Sequence, residues 1–490
     1  MGTVRPAVTG AQQMSDTLVT TTSGAVRGTS SGGVRRFLGI PYAAAPRDRF
    51  APPAAHPPWS GVRDATRPGP TAPQPRRDGF AALDMSPFFG PGWVRGEDYL
   101  TVNVWAPQSA EGCPVMVFVH GGGFVSGSSR SPLYDGTAFA RDGVVLVTLN
   151  YRLGIAGFLD VPGAVRNRGL LDVIAALRWV RDNAEAFGGD PGTVTLAGQS
   201  AGATLVAALL GTEQAAGLFH RAIVQSGNGL GAFSPEQAAV VTRAAASALG
   251  VEASAAGFRA VPEERLVEVT PALTGLNLRT DEAFDPLVGL TPFSVVLERQ
   301  PAEADVAGVD LLVGSTAEEG NLYLAPQGHL GASTAEDVRA LAARVHRAPE
   351  ALIAAYRAQR PHAAQGELRS AILGDALFTV GGRRLAEAHG GAYVYEFAWR
   401  SSAVDGQLGA AHGVELPFVF DVLDLPVLRG ANGLLGPDRP PAVLAEEVHG
   451  AWVSFAATGD PGWPRLGSDG LVRRFDAVSE TVPARDLSMW

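Results

Sequence analysis

Short apolar runs alternate with helical patterns through most of the 490 residues, and this alternation constrains the fold more than any other feature. The runs are Val115–Val119 (VMVFV), Val144–Leu149 (VVLVTL), Val194–Ala197 (VTLA), Ala222–Val224, Leu311–Val313 and Ala392–Phe397. A short, uniformly apolar run suits a strand buried on both faces. Between the runs, Leu171–Ala186 carries apolar residues at helical spacing, and Ala201–Leu210 is closed by Gly211. Ser234-Pro235-Glu236-Gln237 forms a capping box with Pro at the first helical position, opening a helix that ends near Gly250. Strand, turn and helix in repetition predict an α/β fold with a large, mostly parallel central sheet and helices on both faces. Ligands in such sheets sit at the carboxyl ends of the strands. Residues 230–300 and 325–385 read as mainly helical insertions over that end, where a pocket needs walls.

No linker, repeat or charge run divides the chain after Leu18, so 18–490 reads as one domain. Residues 1–17 are polar and aperiodic and read as a flexible leader. The stretch Ala51–Arg77, rich in Pro and Arg, reads as a long surface loop. With 46% hydrophobic residues the chain has ample apolar area for a core.

Net charge is −10, which predicts no nucleic-acid partner. All 39 basic residues are Arg. Without Lys there is no Walker A loop, no protein-kinase strand lysine and no Ser-x-x-Lys hydrolase. Schiff-base enzymes lack their amine as well. The single cysteine, Cys113, excludes an intrachain disulfide and zinc sites built on cysteine pairs. No His-Glu-x-x-His occurs among the nine His, and no metal or cofactor is expected. No run approaches the ~18 apolar residues of a membrane span. These features predict a soluble, cytoplasmic protein and leave open whether it is a monomer or a homo-oligomer.

Gly198-Gln199-Ser200-Ala201-Gly202 fits G-x-S-x-G. A serine on a sharp strand-to-helix turn projects its hydroxyl above the sheet, and its neighbours two positions away must lack bulk. Gly28-Thr29-Ser30-Ser31-Gly32 also fits the pattern but has no strand before it or helix after it. Ser200 lies between VTLA and ATLVAALL and is the candidate nucleophile. After the Val119 strand comes His120-Gly121-Gly122-Gly123-Phe124. Its glycines allow close backbone approach, so the N–H groups of Gly122, Gly123 and Ala201 are candidate oxyanion donors.

Hydrolases of this layout run Ser, then Asp or Glu, then His along the chain. Glu318 and Glu319 follow the Leu311–Val313 strand, and His412 lies in a later loop. From the residues alone His220, His329, His346, His362, His389 and His449 compete with His412. Phe88, Phe89, Trp93 and Phe124 are candidate lining residues.

FLGIPYAAAP at Phe37–Pro46, EDYLTVNVWAP at Glu97–Pro107, HGGGF, NYRLGIAGFL, FGGDPGTVTLAGQSAGA, FHRAIVQSG, Glu319-Gly320, AHGVELPFVF and AWVSFAATGDPGWP occur in that order. Together they resemble the type B carboxylesterases, the cholinesterase-like branch of the α/β-hydrolases, and in particular a bacterial para-nitrobenzyl-esterase-like member. The resemblance implies a Ser200–His412–Glu319 triad, with Glu318 a bystander and Asn150-Tyr151-Arg152 a structural segment beneath the site. It implies a serine esterase that forms an acyl-enzyme; amide or carbamate hydrolysis on the same triad is the alternative. A non-catalytic interaction protein on the same fold is a more remote one. Ser226 resembles a supporting serine. Gln199 stands where the family usually has Glu, which points toward anionic or neutral substrates. Tyr99 replaces a cysteine of secreted animal members, and Pro286-Leu287-Val288-Gly289 departs from the usual acyl-pocket sequence.

Overall fold

The computed structural model describes residues 15–304, 306 and 308–490. Its strands are β1 (Ser15–Thr21), β2 (Gly24–Ser31), β3 (Val34–Pro41), β4 (Val62–Asp64), β5 (Gly79–Phe80), β6 (Leu83–Asp84), β7 (Thr101–Pro107), β8 (Cys113–Val119), β9 (Val145–Leu149), β10 (Gly189–Gln199), β11 (Arg221–Gln225), β12 (Asp310–Thr316), β13 (Tyr393–Phe397), β14 (Leu471–Phe475) and β15 (Glu480–Pro483). Thirteen of them form one sheet in the order β1-β2-β3-β7-β9-β8-β10-β11-β12-β13-β14-β15, with β4 beside β2. Every pairing from β9 to β14 is parallel, and the pairings toward the two edges are antiparallel except that of β2 with β4. The pair β5-β6 stands apart as a hairpin. Most of the expected leader, 1–14, lies outside the described residues. Ser15–Thr17 pair with β2 as part of β1, so the fold begins ahead of position 18.

Burial on both faces accounts for the uniformly apolar runs. Successive strand side chains point to opposite faces. In β8, Val115, Val117 and Val119 enter one core cluster while Met116 and Phe118 enter the other. Leu170, Val173, Leu177 and Val180 of the helix Arg168–Asn183 cover the first face. Leu444, Val448, Trp452 and Phe455 of the helix Ala442–Thr458 cover the second. Each such side chain contributes about 1.5–3 kcal/mol when fully buried.

Parallel strands end on the same edge of the sheet, and here that edge collects the candidate residues. His120 follows β8, Ser200 follows β10, Ser226 follows β11, and Glu319 lies three residues past β12. The helices Ala335–Val345, Pro349–Gln359 and Gln365–Gly374 build a third cluster over this edge, as the insertion reading expects. Gln365–Gly374 runs through a π-helical turn, Asp375–Thr379, into Val380–His389. The capping box at Ser234 forms, and its helix Pro235–Leu249 ends on left-handed Gly250. Gly28–Gly32, the rival match, runs from β2 into a turn, with Ser30 paired to Ser15.

Candidate active site

Ser200 sits between β10 and the helix Ala201–Leu210 at φ 56°, ψ −124°, a strained conformation for a residue with a side chain. The turn has no room on either flank. A Cβ at Gly202 would lie 2.1 Å from the Val119 carbonyl oxygen, and one at Gly198 would lie 2.7 Å from the Gly202 carbonyl carbon. The Ser200 N–H donates to Gln225 O at 2.9 Å, which fixes the turn against β11. The side chain stays partly exposed on the wall of a cavity with about 90 Å³ of free space.

On the same wall the glycine loop presents its amides. The Gly122 carbonyl accepts from Ser126 N at 3.1 Å and the Gly123 carbonyl from Thr291 Oγ1 at 2.6 Å, so both carbonyls are engaged. Among the described residues the N–H groups of Gly122, Gly123 and Ala201 donate to no protein acceptor. Gly122 has φ 115°, and a Cβ there would lie 1.9 Å from Ser126 O. Beneath the loop His120 is stacked on Tyr151 at 4.5 Å, and Tyr151 Oη donates to His120 O at 2.8 Å. Burial pulls His120 down to about 4, so it is neutral. In the Asn150-Tyr151-Arg152 segment, Arg152 forms a fully buried ion pair with Asp172 at 2.7 Å.

Glu319 and His412 meet in the buried floor. His412 Nδ1 lies 2.6 Å from Glu319 Oε2. Glu319 Oε1 accepts from Thr316 N at 2.8 Å and from Ser226 Oγ at 2.5 Å. Phe378, carried on the π-helical turn, stacks on the imidazole at 4.3 Å and 14°. Glu318 points elsewhere: it pairs with Arg400 and accepts from Ala410 N at 2.9 Å. The competing His449 is taken up by Val419 O and Asp142, away from the cavity.

One expected contact is not made. Ser200 Oγ and His412 share the cavity but form no direct hydrogen bond; His412 Nε2 instead faces Gln199 Nε2 at 3.2 Å. With Nδ1–H given to Glu319, Nε2 is an acceptor, and the amide donates to it. Such contacts in unliganded enzymes often tighten only with substrate in place.

Phe88, Phe89 and Phe124 line the cavity, as does Leu287 of the altered acyl segment. Trp93 does not; it lies under the Arg95 guanidinium at 4.0 Å. Sequence reasoning missed Phe378, Tyr323 and Arg77, which also line it. Arg77 closes the stretch read as a surface loop.

Glu415 is a further buried acid behind the site. Among the described residues neither oxygen has a partner within hydrogen-bonding distance, and the nearby Gln225 amide offsets little of the penalty. Burial, helped by the charge of Glu319, pushes its carboxyl up to about 8, from 4.5 when exposed. Between those values the folded chain holds a proton that the unfolded chain has released, so rising pH costs stability across that window. Glu415→Gln removes this loss. Its stability relative to the unmodified protein is expected to be higher at about pH 8.5 than at about pH 5, read from urea midpoints. An equal difference at both pH values contradicts the buried-proton reading.

A parallel sheet carrying a serine on a strained strand-to-helix turn, beside free backbone amides, defines an α/β-hydrolase. The chain belongs to the Carboxylesterase family, which it matches over residues 15–472, and is a carboxylic ester hydrolase. It is 36% identical to phenmedipham hydrolase of Pseudarthrobacter oxydans, over 96% of each chain. It is 35% identical to para-nitrobenzyl esterase of Bacillus subtilis (strain 168), over 92% of this chain and 93% of that one. A solved Geobacillus stearothermophilus carboxylesterase superposes with a TM-score of 0.81 at 34% identity, covering 95% of this chain and 97% of the other. No helix among the described residues is long and apolar enough to cross a membrane.

Proposed function

We propose that the protein is a serine carboxylesterase that cleaves small-molecule esters through an acyl-enzyme on a Ser200–His412–Glu319 triad, housed in one catalytic domain in the cytoplasm. The observation that carries this reading is the hydrogen-bonded run Ser226–Glu319–His412, which ends in the cavity that Ser200 lines. Substrate entering the cavity displaces the Gln199 amide, and Ser200 Oγ–H turns to His412 Nε2. Oγ attacks the ester carbonyl carbon while Nε2 takes its proton. The carbonyl oxygen becomes an oxyanion, held by the amides of Gly122, Gly123 and Ala201. Glu319 keeps the imidazole in the correct tautomer and stabilises its charged form. The C–O bond to the alcohol breaks, and the leaving alkoxide takes the proton from Nε2. Water then attacks the acyl carbon, with Nε2 as base, and Ser200 is regenerated.

The test compares kcat/KM on matched ester and anilide substrates of one acyl group. The reading predicts turnover of the ester, abolished by a serine-reactive phosphonate, with the anilide slower by orders of magnitude. Faster cleavage of the anilide would make the protein an amidase on the same residues. Failure to cleave any ester in a panel of acyl lengths would overturn the reading.

A further inference from the structure

Arg77 lies on the wall of the same cavity, and nothing in the proposed chemistry uses it. Its guanidinium carbon is 4.5 Å from the centre of the Phe80 ring and 4.7 Å from that of Phe89. A guanidinium held over aromatic faces by cation–π attraction spends none of its five N–H donors on hydrogen bonds to those rings. Among the described residues no carboxylate pairs with Arg77 and no protein acceptor takes its N–H groups. The adjacent Asp78 is held by Arg76 at 2.6 Å, and Asp84 accepts from Ser86 N at 2.9 Å. Burial pulls the Arg77 guanidinium below its usual value, yet an arginine remains cationic at neutral pH. A half-buried cation without an anion is costly, and stacking on two rings offsets only part of that cost.

The surroundings say what would complete it. The rest of the wall is largely apolar, with Met85, Phe88, Leu322 and Leu377. Position 199, beside His412, carries no charge. Tyr323 lies on the same wall, and among the described residues its hydroxyl donates to no protein acceptor. Tyr323 also spans the gap to the reacting groups: its ring is 6.0 Å from Phe80 and 6.1 Å from the His412 imidazole. A guanidinium and a phenol thus share one wall with the imidazole, a short chain's length away.

We propose that Arg77 is a specificity-determining residue that binds a carboxylate carried by the ester substrate away from its scissile bond, as in a half-ester of a dicarboxylic acid. This assignment rests on the esterase reading. Arg77 forms a charge-assisted pair with the carboxylate, and the Tyr323 hydroxyl donates to its second oxygen.

The experiment measures kcat/KM on p-nitrophenyl hydrogen adipate and on p-nitrophenyl heptanoate, with 4-carboxybenzyl and 4-methylbenzyl butyrate covering the alcohol side. In Arg77→Met the anionic-to-neutral ratio is expected to fall about tenfold or more in at least one pair, the loss expected of one charge-assisted contact. Arg77→Lys, which keeps the charge but not the fork, is expected to fall in between. With the unaltered protein, added NaCl is expected to raise KM for the anionic member only, a readout that needs no variant. Ratios within about twofold of the unaltered protein in both pairs, or KM values indifferent to salt, overturn the assignment. Cleavage of the neutral esters, lost in Ser200→Ala, tests the esterase reading separately. A protein that passes that test with an indifferent ratio refutes the role of Arg77 alone.

Discussion

Ser200→Ala is expected to lower kcat by about 10⁶, as removal of a triad nucleophile does. One hydroxyl forms the covalent bond, and no neighbour can replace it. Ser226 is committed to Glu319 at 2.5 Å, and Ser126 Oγ donates to Gly122 O at 3.1 Å. What survives should be the contribution of binding and of the Gly122, Gly123 and Ala201 amides, about 10³–10⁴ over water. The cavity wall loses one small polar atom, so the thermal midpoint should hardly move. Steady-state hydrolysis of p-nitrophenyl butyrate, with thermal melts of both proteins, checks this. A loss smaller than about tenfold contradicts the assignment of Ser200.

Glu319→Gln is the second large effect, with kcat expected to fall by about 10⁴, the size seen when a triad carboxylate becomes an amide. Both Glu319 oxygens act as acceptors: one faces His412 Nδ1 at 2.6 Å, the other takes Thr316 N–H and Ser226 O–H. A glutamine must turn its NH₂ toward one of these donors. Keeping its oxygen on Thr316 and Ser226 places N–H against Nδ1 and favours the tautomer with hydrogen on Nε2. That tautomer cannot take the Ser200 proton. KM should change far less than kcat, because the carboxylate is buried behind the imidazole and does not line the cavity. A kcat within tenfold of the unaltered enzyme would remove Glu319 from the mechanism.

The central strands were legible because their burial on two faces leaves a purely apolar signature. β8 and β9 appear in the sequence within two residues of their ends. The helix after Ser200 and the capping box at Ser234 were legible because their stop and start signals are local. Ser15–Thr17 were not: Ser15 and Asp16 are exposed and Thr17 is half-buried at the sheet edge, so Ser, Asp and Thr read as polar chain until β2 is beside them. The bond between Ser226 and Glu319 spans 93 residues, and only the family resemblance hinted at it. Arg77 was hidden because a Pro-rich loop looks solvent-facing; Phe80 and Phe89 turn its last residue into the cavity. Phe378 depends on a π-helical turn, whose register helical periodicity does not reveal. Trp93 misled for the opposite reason, since an aromatic near a pocket loop can equally pack under an arginine.

The most direct measurement is the mass of the protein after reaction with a p-nitrophenyl phosphonate, followed by peptide mapping. One phosphonyl group per chain on the peptide that holds Ser200, and none on Ser200→Ala, is the predicted result. Equal labelling of Ser200→Ala, or a label on another serine such as Ser30, would contradict the account.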